Sequence, residues 1–138
     1  MTNESANGFV GLVLVSHSEA IADGLAELIA EVAGPDVPIV TAGGGPSGSL
    51  GTDGARVQAA MRSAAAGSGA VVLMDLGSSV LSVRAALGEL PAELCERLRV
   101  ADAPLVEGAI AAAVTASTGA ELASVLDAAE GARTVAKL

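Results

Sequence analysis

Two short apolar runs constrain the fold of this chain more than any other feature of its sequence. Phe9 to Val15 reads F-V-G-L-V-L-V and residues 70–74 read A-V-V-L-M, and each run passes directly into polar residues. A continuous apolar run rich in β-branched residues is typical of a strand buried on both faces, as in a parallel sheet. Helices are therefore expected to cover both faces of such a sheet.

The intervening segments have the spacing of amphipathic helices and short strands. Residues 19–33, for example, place apolar residues on one helical face and acidic residues elsewhere, and Gly34-Pro35 ends the pattern. The predicted order is a strand at Phe9–Val15, a helix at Glu19–Ala33, a strand at Val37–Thr41, a helix from about residue 54 to Ala66 capped by Thr52 or Asp53, a strand at 70–74, helices at Ser79–Leu90 and from Pro91 to Leu98, a strand at Arg99–Asp102, and helices at Leu105–Ser117 and Glu121–Ala129.

This alternation predicts an α/β fold, with a mainly parallel, doubly wound sheet of about four strands flanked by helices. The length of 138 residues suits one domain, and no repeat or linker divides it. We expect a single domain over residues 1–138, ordered from about residue 8 to 130, with frayed termini including the tail after Gly131. Because Phe9 is the only aromatic residue, the core is expected to consist of Ala, Val, Leu and Ile.

Composition excludes several classes of function. Seven basic against sixteen acidic residues give a net charge of −9, which repels phosphate backbones, and the near-absence of aromatic rings disfavours base stacking. One cysteine and one histidine exclude an internal disulfide and a Cys- or His-rich metal site. Residues 1–8 lack the positive segment of a secretory signal, and no apolar run is long enough for a membrane span. A cytoplasmic protein that binds neither nucleic acid nor membrane is expected.

Three polar segments are expected at the carboxyl edge of the predicted sheet, where open parallel sheets bind ligands. They are V-S-H-S at 15–18, the Gly-rich loop at 43–54 that contains G-T-D, and D-L-G-S-S at 75–79. His17 and Asp75 are thus candidates to face each other. A carboxylate that keeps one ring nitrogen protonated leaves the other as a neutral nucleophile. Free backbone N–H groups of the helix that begins near Ser18 would suit a phosphoryl group, and neutral donors to its oxygens are available in the hydroxyls of Ser16, Ser18, Thr52, Ser78 and Ser79.

Simpler interpretations of the same residues stay open at this point. A lone histidine after a strand is most often structural or solvated, and Asp75 could be only a helix cap or turn residue. The Gly-rich loop has neither the lysine of a phosphate-binding loop nor the G-x-G-x-x-G of a dinucleotide site, and is typical of a flexible connection. Glu107 fits a first-turn helix acid better than a rim residue, and Cys95 is expected to be inert.

Four motifs in order carry a resemblance to a known family. They are L-V-L-V-S-H-S at 12–18, G-T-D at 51–53, V-V-L-M-D-L-G-S at 71–78 and A-P-L-V-E-G-A at 103–109. Together they resemble the DhaM family, the phosphoryl-carrier subunits of phosphoenolpyruvate-dependent dihydroxyacetone kinases, over nearly the whole chain. This family is related to the mannose-type enzyme IIA domains of the sugar phosphotransferase system, which share the S-H-S and D-x-G-S motifs in outline.

The resemblance implies a specific reaction. His17 matches the histidine that accepts a phosphoryl group from the phosphocarrier HPr and passes it to ADP, which is held with Mg²⁺ in the kinase L subunit. The ATP so formed phosphorylates dihydroxyacetone bound by the K subunit. Asp75 matches the carboxylate that orients the histidine, and Thr52, Gly77 and Ser78 line up around the phosphoryl group. The family also implies a homodimer, with no cofactor or metal bound by this chain itself.

The sequence leaves three other functions possible. A mannose-type enzyme IIA for sugar uptake would use the same His17 chemistry with another acceptor protein. A non-catalytic regulatory module could keep the fold, whereas a hydrolase using Ser78 is disfavoured because no G-x-S-x-G motif is present. For docking we expect a small apolar patch around His17 with an acidic rim from Glu19 and Asp23. The phosphorylated nitrogen and the role of the loop at 43–49 stay undetermined.

Overall fold

A computed structural model describes residues 8–138 and shows one four-stranded sheet with helices on both faces. Two expectations for the amino terminus, its fraying and its lack of a secretory signal, concern residues 1–7, which lie outside the described residues. The elements are β1 (Gly11–Ser16), α1 (Glu19–Ala33), β2 (Ile39–Gly43), a 3-10 turn (Pro46–Gly48), α2 (Gly54–Ala64), β3 (Ala70–Met74), α3 (Gly77–Leu87), α4 (Ala92–Cys95), β4 (Leu98–Val100), α5 (Leu105–Ala116), α6 (Leu122–Gly131) and a second 3-10 turn (Ala132–Thr134).

The sheet has the order β2-β1-β3-β4, and every pair of neighbouring strands is parallel. The predicted α/β class and doubly wound arrangement are therefore confirmed, and "mainly parallel" becomes entirely parallel within the described part. Chain order reverses direction between β1 and β3, which are the two central strands. Ligand sites in such sheets lie at this switch point, beyond the carboxyl ends of the strands.

Each central strand contributes side chains to two separate cores. Leu12 and Leu14 of β1 pack under α1, α5 and α6, whereas Val13 and Val15 pack under α2 and α3. Both cores consist mainly of Ala, Val, Leu and Ile with Met61, and the only aromatic residue, Phe9, is only partly buried. Burial of both faces explains why the strands show continuous apolar runs instead of alternation.

Several predicted boundaries differ from the structure. β1 begins at Gly11 instead of Phe9, and β2 covers Ile39–Gly43 instead of Val37–Thr41, because the parallel pairing runs from Leu12 opposite Ile39 to Ser16 opposite Gly43. β4 covers Leu98–Val100 instead of Arg99–Asp102, since its pairing partners are Ala70–Val72. α3 begins two residues earlier than predicted, at Gly77, and ends near Gly88. Asp53 is the cap of α2, and its carboxylate accepts from the N–H of Ala55.

The tail after Gly131 has a described position in the structure, while its predicted fraying stays a prediction. Ala132–Thr134 form a 3-10 turn, and the guanidinium of Arg133 contacts the carboxylate of Asp102 at 2.9 Å. Lys137 pairs with Glu107 in the first turn of α5, also at 2.9 Å. These ion pairs are exposed and therefore contribute little to stability, but they show how the tail lies against the body of the domain.

Candidate functional site

The topology brings His17 and Asp75 to the same point of the sheet edge. Val15 of β1 lies opposite Met74 of β3, so the residues that follow the two central strands emerge side by side. The N–H of Asp75 donates to the carbonyl of Val15 at 3.1 Å, which extends the pairing by one residue. The two strands are neighbours at the switch point of the sheet, so the residues that follow them can face each other.

His17 and Asp75 make two hydrogen bonds to each other. Nδ1 of the ring lies 2.9 Å from Oδ1 of the carboxylate, and the backbone N–H of His17 donates to Oδ2 at 2.9 Å. The side chain of His17 is 24 % exposed and that of Asp75 is 13 % exposed. The carboxylate is therefore set back under the ring, and the ring keeps one edge open to solvent.

Five hydrogen bonds converge on the carboxylate of Asp75. Besides His17, the hydroxyl of Ser16 donates to Oδ2 at 2.9 Å, and the hydroxyl of Ser79 and the N–H of Leu76 donate to Oδ1 at 2.8 and 2.7 Å. Desolvation by burial acts to raise the pKa of Asp75, but the hydrogen bonds from the His17 backbone, Ser79, the His17 ring and Ser16 outweigh it and hold the pKa well below its usual range. Asp75 is thus ionised at neutral pH.

An ionised Asp75 determines the tautomer of a neutral His17 ring. A carboxylate can only accept, so Nδ1 must carry the proton that points at Oδ1. Nε2 then has a free lone pair, and it lies 2.6 Å from the hydroxyl oxygen of Ser78, which donates to it. The nitrogen that faces solvent is therefore the nucleophilic one.

The amino terminus of α3 lies next to Nε2. Its cap residue, Leu76, provides no side-chain hydrogen bond. Within residues 8–138 the N–H groups of Gly77 and Ser78 have no acceptor, and they lie in the same helical turn as the Ser78 hydroxyl that contacts the ring. This helix end combines free donors with a positive dipole, which is the arrangement that binds phosphate groups.

The structure places the other expected hydroxyls away from Nε2. Ser16 is fully buried and faces Asp75, and its oxygen also accepts from the N–H of Ser18 at 3.0 Å. The hydroxyl of Ser18 caps α1 by accepting from the N–H of Ile21. Thr52 shares a hydrogen bond of 2.7 Å with Ser82 of α3. Of the expected hydroxyl donors, Ser78 is the one in contact with the open edge of the ring, and α3, more than the capped α1, presents free N–H groups there.

Ser79, expected from the sequence only as an available hydroxyl, is part of the buried network. Its oxygen lies 2.8 Å from Asp75 Oδ1 and 3.2 Å from His17 Nδ1, and the residue is fully buried. A signal for this was present, since Ser79 shares an apolar helical face with Val83 and Ala86. A serine at that spacing needs a buried polar partner.

The Gly-rich loop supports the site through its backbone. The N–H of Gly51 donates to the carbonyl of His17 at 2.9 Å, and that of Gly44 donates to the carbonyl of Ser16 at 3.0 Å. Gly43, the last residue of β2 before this loop, lies so close to the start of α1 that an added Cβ would come within 2.8 Å of Glu19 Cα and 2.9 Å of the Ser18 carbonyl oxygen. The loop therefore holds the β1–α1 junction in place.

Two further residues lie outside this network. Glu107 is in the first turn of α5, as the sequence analysis favoured, and its hydrogen bond from Lys137 lowers its pKa. Cys95 is partly buried, and its thiol donates to the carbonyl of Leu87 at 3.4 Å.

An open cleft of about 530 Å³ lies next to Asp75. It lies between α3 and the segment after β4, and its walls include Asp75, Gly77, Arg84 and Val100. The size is within the range of ligand pockets. Asp75 thus belongs to the wall of this cleft, whereas His17 does not line it.

The fold and site together define a class of protein: a doubly wound parallel-sheet domain with a carboxylate-oriented histidine at its switch point. A family model described as "EIIA-man: PTS system fructose IIA component" matches residues 11–126. The chain is also 41 % identical over 105 residues to the phosphoryl donor subunit DhaM of PEP-dependent dihydroxyacetone kinase 2 from Listeria innocua, which covers 76 % of this chain and 84 % of that protein. The chain therefore belongs to the EIIA-man family, and within it to the DhaM group that its motifs predicted.

Two other similar proteins extend this comparison. The DhaM subunit of Providencia stuartii is 40 % identical over 126 residues, which is 89 % of this chain but only 26 % of that protein. This chain thus corresponds to about a quarter of that relative. A crystal structure described as the unknown-function protein EF1359 has 36 % identity and a TM-score of 0.77, and the match covers 87 % of this chain and 92 % of that one.

No helix within residues 8–138 is long and apolar enough to cross a lipid bilayer. The same part of the chain contains no group of three or more His, Cys, Asp or Glu side chains arranged to hold a metal ion.

Proposed function

We propose that this chain is the phosphoryl donor subunit of a PEP-dependent dihydroxyacetone kinase and that Nε2 of His17 carries the phosphoryl group. One observation carries the proposal: Nδ1 is held by an ionised Asp75 while Nε2 faces Ser78 at the open amino terminus of α3. The names of the similar proteins, which are phosphoryl donor subunits of such kinases, support the choice of pathway.

In the first step, His17 accepts a phosphoryl group from the phosphocarrier HPr. The lone pair of Nε2 attacks phosphorus in line, the bond between phosphorus and the donor nitrogen breaks, and Asp75 stabilises the positive charge that develops on the ring. Ser78 has to release Nε2 for this, and its hydroxyl can then donate to a phosphoryl oxygen together with the N–H groups of Gly77 and Ser78. Thr52 bonds instead to Ser82 of α3, and within residues 8–138 neither hydroxyl bonds to His17 or Asp75.

In the second step, the phosphoryl group passes to ADP held with Mg²⁺ in the L subunit. The Nε2–phosphorus bond breaks, its electron pair returns to Nε2, and a β-phosphate oxygen of ADP takes the phosphoryl group. The donors that surround Nε2 are neutral, and within residues 8–138 neither Lys nor Arg bonds to His17 or Asp75. Neutral donors hold the phosphoryl group less tightly than an arginine cluster would, which suits a group that must be passed on.

Three exposed leucines lie close in sequence to residues of the site, and we propose that they form the surface on which a partner docks. Leu50 is 81 % exposed, Leu76 is 61 % exposed and Leu81 is 68 % exposed. Leu50 precedes the residue that bonds to His17, Leu76 follows Asp75, and Leu81 lies one helical turn after Ser78. An apolar patch with exposed Glu19 and Asp23 at its rim is the type of surface expected for a transient complex with a basic partner.

The direct test is intact mass spectrometry after incubation with phosphoenolpyruvate, enzyme I and HPr. Because His17 is the only histidine of the chain, wild type should gain one acid-labile phosphate and His17→Ala none. Ser78→Ala is the matched variant: it should gain the same phosphate more slowly, by about tenfold for one lost donor. An active donor system that leaves wild type unmodified would contradict the proposal and leave a binding module.

A second stage of the same experiment identifies the acceptor. Addition of ADP-loaded L subunit should discharge the phosphorylated chain and form ATP. Discharge only by a sugar transporter of the mannose type would assign the chain to sugar uptake instead. The homodimer that the resemblance implies is tested on the same sample by light scattering.

A further inference from the structure

The two buried polar side chains of the described residues are both serines that bond to the same carboxylate. Ser16 and Ser79 are each 0 % exposed. Ser16 donates to Oδ2 of Asp75 at 2.9 Å, and Ser79 donates to Oδ1 at 2.8 Å. Burial of a hydroxyl is unfavourable unless it is hydrogen-bonded, and Asp75 provides the acceptor for both of these hydroxyls.

Ser79 differs from Ser16 because it shares its acceptor with the catalytic ring. Oδ1 accepts from three donors at once: the N–H of Leu76 at 2.7 Å, the hydroxyl of Ser79 at 2.8 Å and Nδ1 of His17 at 2.9 Å. The Ser79 oxygen is also 3.2 Å from Nδ1 itself. Each donor to Oδ1 reduces the electron density that this oxygen offers to the other donors.

We propose that Ser79 is a positioning residue that weakens the hold of Asp75 on the Nδ1 proton and thereby keeps the phosphorylated ring a good leaving group. This rests on the proposed function. When the Nε2–phosphorus bond breaks, a ring that keeps its Nδ1 proton departs as neutral imidazole. A ring whose proton has moved to Asp75 would have to depart as the far more basic imidazolate anion.

The role of Ser79 concerns discharge more than acceptance. In acceptance the ring is the nucleophile, and a stronger bond from Nδ1–H to Asp75 does not hinder the attack by Nε2. In discharge the same bond draws the proton off the leaving ring. Loss of the Ser79 hydroxyl is therefore expected to slow discharge by about tenfold, which corresponds to the energy of one hydrogen bond to a charged group. The acceptance rate is expected to change by less than about twofold.

The test compares Ser79→Ala and Ser79→Cys with Ser82→Ala. Alanine and cysteine bracket serine in volume and lack a strong donor, so a common effect reports the hydrogen bond and not the packing. Ser82 lies on the same helix, bonds to Thr52 and does not bond to the His17–Asp75 pair. In ¹⁵N-labelled unphosphorylated protein, the single histidine gives one Nδ1–H proton resonance, which should move to lower field in both Ser79 variants and stay in place in Ser82→Ala.

The kinetic arm measures acceptance from HPr and discharge to the L subunit for the same variants. Slower discharge with normal acceptance, together with the shifted resonance, is the expected result. An unchanged resonance, or equal slowing of both steps, would overturn the role of Ser79 while leaving His17 phosphorylation intact. If wild type accepts no phosphate, the proposed function fails, and the Nδ1–H resonance alone then decides whether Ser79 acts on Asp75.

Discussion

Two parts of the carboxyl edge of the sheet differ in how they are built. The junctions after β1 and β3 are short, and they meet through side chains: His17, Asp75, Ser78 and Ser79 bond to one another within a few residues. The connection after β2 is a long Gly-rich loop, and it reaches the site through backbone groups such as the N–H of Gly51. The side chains of the proposed phosphoryl site lie where two central strands end together, and the neighbouring loop contacts them through its backbone.

The difference explains which substitutions each part can accept. In the β1 and β3 junctions a change of one polar atom alters the proton positions around His17. At Gly43, the last residue of β2 before the loop, added volume forces backbone apart, because an added Cβ would meet main-chain atoms of Ser18 and Glu19. The predictions below therefore change the charge of a side chain in the β1 and β3 junctions, or add volume where β2 meets the loop.

The largest expected effect is that of Asp75→Asn on phosphoryl acceptance. An amide group at this position would present a donor to Nδ1 or to Ser16, which favours the tautomer with the proton on Nε2 and removes the nucleophilic lone pair. We expect the acceptance rate to fall on the order of 10⁴-fold, as for the same substitution of other carboxylates that orient a catalytic histidine. Quenched-flow mass spectrometry of His17 phosphorylation, at equal concentrations of folded protein, measures this loss.

Asp102→Asn is the matched control for that substitution. Asp102 also follows a strand at the carboxyl edge, but its carboxylate is 82 % exposed and pairs with Arg133. Its replacement should change the acceptance rate by less than about twofold, as for an exposed ion pair. A similar loss in both variants would mean that the negative charge of the edge matters, and not the bond to Nδ1.

The sequence was sufficient to predict the facing pair but not its surroundings. His17 and Asp75 each follow a buried strand directly, so strand adjacency alone brings them together. The positions of Ser78 and Ser79 depend on where α3 begins, and the structure starts it at Gly77 instead of Ser79. That shift of two residues places both serines in the first turn. The close approach of Gly43 to α1 involves residues distant in sequence, which periodicity cannot show.

An intermediate effect is expected for Gly43→Ala on stability. The new methyl group would come within 2.8 Å of Ala22 Cβ and of Glu19 Cα, so the backbone has to move. We expect a loss of about 1–3 kcal/mol in the free energy of unfolding, as for overpacked cores, measured by urea denaturation. Gly54→Ala, at the first residue of α2 where an added Cβ meets nothing within 4 Å, should change the same free energy by less than about 0.5 kcal/mol. Equal losses of stability in the two variants would mean that the lost backbone freedom of glycine, and not the added volume at Gly43, causes the effect.

The smallest expected effect is on how the free energy of unfolding depends on pH, which should differ between Asp75→Asn and Gly43→Ala. The pKa of Asp75 is lowered in the folded chain by its hydrogen bonds from His17, Ser79 and Ser16, which outweigh desolvation. The ionised carboxylate therefore contributes stability that is fully present above the ordinary aspartate pKa of about 3.9 and is lost as pH falls below that value toward the folded-state pKa. In urea denaturation from pH 7 to 3, wild type should lose more free energy of unfolding below pH ~4 than Asp75→Asn. Gly43→Ala should follow wild type at a constant offset, because its defect is volume and not charge. Parallel curves for wild type and Asp75→Asn would show that the five hydrogen bonds to Asp75 do not favour its ionised form.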